Sequence, residues 1–144
     1  MAHARDDRRI KAGLMAVAGM LGAAGLALLA WSAHGADGAE PSRWLHHAGL
    51  ISLVHAPVLF LLVGGEALPE GAKRLGRWGC GLIVCGVLLF VATLTLRAAC
   101  DLPAGHPVAW LTPVGGTLAI AGWLVVAVAG LRGLFAARDS QTRP

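Results

Sequence analysis

Four stretches of this chain contain no Asp, Glu, Lys or Arg: residues 12–34, 46–65, 78–96 and 108–131. A bilayer core of ~30 Å needs about 20 apolar residues at 1.5 Å rise each, so every stretch is long enough to cross a membrane. Backbone groups in lipid must be hydrogen-bonded within the structure, and four lone strands cannot close a barrel. The spans are therefore expected to be helices. Short connections make sequential helices neighbours, which predicts an all-α, integral membrane four-helix bundle running up, down, up and down. The expected organisation is a basic head over 1–11, a four-span domain over 12–132 and a tail over 133–144. The first residues, 1–9, and the last, 139–144, read as disordered.

Composition agrees. Of 144 residues, 56% are hydrophobic and only 14% charged, against ~25% charged in soluble domains. A soluble domain of this size cannot hide that much apolar surface. The net charge of +4 does not point to nucleic acid, because the charges flank the apolar runs instead of forming a stripe; the lipid bilayer is the expected partner.

The basic residues also predict a direction. Ten lie on one side: Arg5, Arg8, Arg9, Lys11, Lys73, Arg74, Arg77, Arg132, Arg138 and Arg143. Only Arg43 and Arg97 lie on the other. Basic residues favour the cytoplasmic side, so both termini are expected there. The first run is too long for the 7–15-residue apolar region of a signal peptide, and no cleavage is expected.

Small residues recur at helical spacing. Ala12, Ala16, Gly19, Ala23, Ala27 and Ala30 form one row in the first span. Gly115, Ala119, Gly122, Ala129 and Gly133 form another in the fourth. Such rows let helices approach closely, and both are expected to pack within the chain; a seam between copies is the alternative. Thr112-Pro113-Val114-Gly115-Gly116 starts the fourth span. Pro113 there predicts a kink, with Thr112 or water satisfying the freed backbone group.

His55 is the titratable residue nearest the middle of a span, and intramembrane ionisable residues are candidate functional sites. Ser52 lies one turn back, and Pro57 frees the Leu53 carbonyl. Either is an expected partner for a neutral imidazole. His34, His46, His47 and His106 gather at the other side from the basic clusters and are candidate zinc or copper ligands, although their spacing matches no metal motif. Cys80 and Cys85 are about 140° apart on a helix and cannot pair. No nucleophile elbow, phosphate-binding loop, dinucleotide fingerprint or HExxH motif is present, so no enzymatic activity and no cofactor is expected.

The segment from Leu111 to Trp123, with Thr112-Pro113-Val114-Gly115-Gly116 and then Gly122-Trp123, resembles the fourth-span signature of the small membrane proteins called domain of unknown function 423. Ser32-Ala33-His34-Gly35 and the trio Ala48, His55 and Ala56 fit the ends and middles of that family's first two spans. Ile51 stands where the family has Tyr, and the third span keeps only Phe90 and Leu94 of its pattern. The resemblance implies a bacterial inner-membrane location and no defined activity. The expected role is structural or accessory, through helix contacts with a second copy or a larger membrane complex. A small-molecule or ion carrier built on His55 and Pro113, and a metal- or haem-binding protein using the clustered His residues, are the alternatives.

Overall fold

The computed structural model describes residues 2–63, 70–103 and 105–141. Four α-helices account for nearly all of them: α1 (Ala2–His34), α2 (Ala39–Val63), α3 (Glu70–Ala99) and α4 (Leu111–Gln141). A single 3-10 turn, Pro107–Trp110, leads into α4. Each helix contains a stretch long and apolar enough to span a bilayer. The fold is all-helical, with four membrane-length helices.

The helices extend past their uncharged runs. Residues 2–9, expected to be disordered, continue α1 without a break. Ala, Arg and Lys favour helix, and neither Gly nor Pro interrupts them. The tail likewise stays helical to Gln141, and residues 142–144 lie outside the described part. So do residues 64–69, which include Glu66 and the end of the expected second span.

Neighbours in sequence are neighbours in space: α1 packs on α2, α2 on α3, and α3 most extensively on α4. In the α1–α2 pair, Gly22 faces Ala56, and Gly25 faces Gly49. Closer to the turn, Ser42 Oγ donates to the Ser32 carbonyl at 2.7 Å. Gly38, at φ +99°, supplies the left-handed backbone that turns α1 into α2. The loop of residues 100–106 joins α3 to the 3-10 turn. Arg97, near the end of α3, meets Trp44, near the start of α2. The end of the molecule holding these connections is called the turn end below.

The large buried core side chains include Leu21 and Leu28 of α1, Leu45 and Leu59 of α2, and Ile83 and Val87 of α3. Large apolar side chains on the outside are equally plentiful, with Leu61 74% and Trp110 75% exposed. In water that surface would be a severe liability; against lipid tails it is the ordinary exterior of a membrane protein.

Candidate functional site

The α3–α4 contact is built on glycine. A Cβ on Gly115 would lie 2.6 Å from the Phe90 nitrogen, and one on Gly122 would lie 2.7 Å from the Gly79 oxygen. Gly86 meets the backbone of Ala119 and Gly115 in the same way. No side chain fits between these backbones, so the two helices touch along their main chains. Ala119 packs against the same core.

This close approach carries α4 to His55. The imidazole is buried in α2, and Trp123 Nε1 of α4 donates to its Nε2 at 3.3 Å. On its other side His55 Nδ1 lies 2.9 Å from the Ile51 carbonyl. An Nδ1–H that donates to Ile51 and a bare Nε2 that accepts from Trp123 satisfy both nitrogens, and this assigns the neutral tautomer. The rings are 6.1 Å apart and tilted by 58°. Beside them runs an open apolar groove of ≈ 290 Å³ between α2, α3 and α4. Gly116 belongs to its wall; a Cβ there would meet only Phe90, at 3.9 Å.

Several expectations need correction here. Ser52 does not bond His55; its Oγ donates to the Ala48 carbonyl at 2.8 Å. A helical serine hydroxyl reaches its own preceding turn more readily than a neighbouring side chain. Pro113 does not lie where a proline interrupts a helix. It is the third residue of α4, where the missing N–H has no helical partner to lose. The turn before it is already 3-10. Thr112 does not satisfy a freed group, since its Oγ1 is buried without a partner. Thr117 Oγ1 instead donates to the Pro113 carbonyl at 2.8 Å.

The small-residue row of α1 faces the wrong way for packing within the chain. Ala12, Ala16, Gly19, Ala23, Ala27 and Ala30 are all exposed, and a Cβ on Gly19 would meet nothing within 4 Å. The face of α1 that meets α2 holds Ala18, Leu21, Gly25 and Leu28 instead. Larger apolar residues interleaved with close-approach glycines bury more area, so they win the interior.

The four clustered His residues stay apart in role. His34 is exposed at the end of α1. His46 and His47 are exposed on α2 with ring centroids 6.3 Å apart. His106 accepts from the Val108 N–H at 3.3 Å and caps the 3-10 turn. Among the described residues no three His, Cys, Asp or Glu side chains are placed to hold a metal ion.

One pair carries no signal in the sequence. Arg97 is only 7% exposed. Its guanidinium lies over the Trp44 ring at 3.9 Å from the centroid. Its Nε is sealed and unbonded. As the charge that ends the third run, Arg97 marks a boundary in the sequence and nothing signals burial. Trp123 was legible only as the last letter of a family pattern.

The model of the family described as "Protein of unknown function (DUF423)" matches residues 21–116. The chain belongs to the DUF423 family. The matched region takes in His55 and the Thr112–Gly116 segment and stops before Trp123. A UPF0382 membrane protein of Haemophilus influenzae is 30% identical over 105 residues, covering 71% of this chain and 80% of the relative. No solved structure matches the chain. DUF423 membership and a membrane-protein relative agree with the four spans in making this a multi-pass membrane protein.

Proposed function

We propose that this chain is a non-enzymatic structural or accessory protein of the bacterial inner membrane, acting through helix–helix contacts with a second copy or a larger membrane complex. The supporting observation is the bare row on α1. A helix surface of Ala and Gly presents little bulk, which suits another helix at close range better than it suits mobile lipid tails. In the same chain the corresponding row of α4 is consumed by α3, leaving the α1 row available.

In this reading the helices alternate in direction across the membrane and both termini are cytoplasmic. The ten-to-two division of basic residues supports that orientation. His55 fits a structural role better than a carrier role, because Ile51 and Trp123 occupy both of its ring nitrogens.

Native mass spectrometry of the whole protein, released from gentle detergent, tests the proposal. A dimer, higher oligomer or stable complex that is lost in Gly19→Leu and Ala23→Leu, but kept in Val54→Leu on an exposed part of α2, is the expected result. Association that ignores the α1 substitutions, or a monomer under every condition, overturns it.

A further inference from the structure

Burying an arginine without a counter-ion is costly, and proteins ordinarily pair such a group or leave it in water. Arg97 follows neither rule. Its guanidinium carbon lies over the Trp44 ring. Asp37 and Asp101 belong to the connections at the turn end and Glu40 to the first turn of α2, yet no ion pair joins any of them to Arg97 among the described residues. The Nε is walled off, whereas the terminal nitrogens are not among the sealed, unbonded atoms. What remains is a guanidinium set over a tryptophan ring, with 7% of the residue's surface exposed and N–H donors left to bond.

Position in the last turn of α3 explains part of this, because a cation there offsets the helix dipole. An exposed, freely rotating arginine would do that equally well. The dipole therefore accounts for the charge and not for its burial or its stacking on Trp44. Stacking reduces the freedom of the guanidinium and leaves its edge to bond an anion in two places at once, the geometry that matches phosphate oxygens. The apolar stretch of α3 runs to Ala99, so Arg97 sits at its rim. Lipid headgroups meet a spanning helix at that depth.

We propose that Arg97, held over the Trp44 ring, is the binding site for one phosphate-type oxyanion at the turn end of the molecule. A phospholipid headgroup and free inorganic phosphate share that chemistry, and the test separates them.

The full-length protein, delipidated in neutral detergent, is incubated with equal amounts of diacylglycerol, which carries no phosphate, and phosphatidylglycerol, and retained lipid is counted by native mass spectrometry. A parallel sample measures thermal stability with and without inorganic phosphate. Phosphatidylglycerol is expected to stay selectively on the wild type and to fall about tenfold in Arg97→Gln, the worth of one charge-assisted hydrogen-bonding group. Arg97→Lys keeps the charge without the fork and should fall between them. Arg43→Gln, which removes an exposed charge from the same end of α2, should retain lipid like the wild type. Stabilisation by inorganic phosphate that disappears in Arg97→Gln identifies a soluble ligand and supports the site equally. If Arg97→Gln fails to fold, Arg97→Lys decides, and retention there equal to the wild type overturns the proposal. Equal retention of both lipids by the wild type together with no phosphate effect overturns the proposal. So does wild-type retention in Arg97→Gln, or equal loss in Arg43→Gln.

Discussion

At the scale of single residues, the polar contact between His55 and Trp123 is the feature that most distinguishes this membrane interior. Each ring has one role that the other completes, and no water is at hand in a bilayer core to replace a lost partner. Trp123→Phe keeps the aromatic bulk but leaves His55 Nε2 with an empty lone pair, at a cost of about 1–3 kcal/mol. His55→Leu strands the indole N–H in the same way. His55→Gln retains an acceptor and should stay close to wild type. A double-mutant cycle on the pair should return a coupling on the order of 0.5–1.5 kcal/mol by reversible unfolding in detergent. Additive losses would mean that the 3.3 Å contact contributes nothing to folding. The interfacial His34, His46 and His47 are exposed, and alanine at each should change stability by less than about 0.5 kcal/mol.

Between elements, the decisive contrast is between two rows of small residues that look alike. On α4, Gly115 and Gly122 lie against main-chain atoms of α3. Leucine at either must push whole helices apart, at the upper end of the ~1–3 kcal/mol typical of overpacking or beyond it. On α1, Gly19 faces open space. Gly19→Leu should leave the stability of the single chain unchanged or slightly raised, since leucine is the better helix former. Comparable destabilisation at Gly19 and Gly122 in a detergent-stability assay would contradict this assignment of faces. The two prolines differ similarly. Pro57 lies inside α2, whereas Pro113 occupies the first turn of α4. Pro113→Ala should therefore be nearly silent.

At the scale of the whole molecule, α2 and α3 are central, and α1 and α4 flank them. The outer helices offer most of their surface to lipid or to partners, which is why the bare row falls on α1. The basic residues provide an independent handle on orientation. Reporter fusions at Gly38 and Gly105 should read outside, and those at Gly71 and Pro144 inside. Any other pattern would overturn the proposed orientation while leaving the helix packing intact.

The number of membrane-length helices and their membrane setting were legible in the composition and limits of the uncharged runs, because transfer into lipid depends on composition and length alone. The helices outran those limits at residues 2–11 because charged side chains end an apolar run without ending a helix. His55 stood out by itself, since an ionisable group deep in an apolar run is anomalous whatever surrounds it. Its partner did not: Ser52 was close in sequence, but Trp123 was close in space, and periodicity carries no information about which helix faces which. The two small-residue rows show the same limit. Spacing places residues on one side of a helix, and only the packing of all four helices decided that the α4 row turns inward and the α1 row outward. Arg97 and Trp44 belong to different helices, and their stacking exists only once α2 and α3 lie side by side.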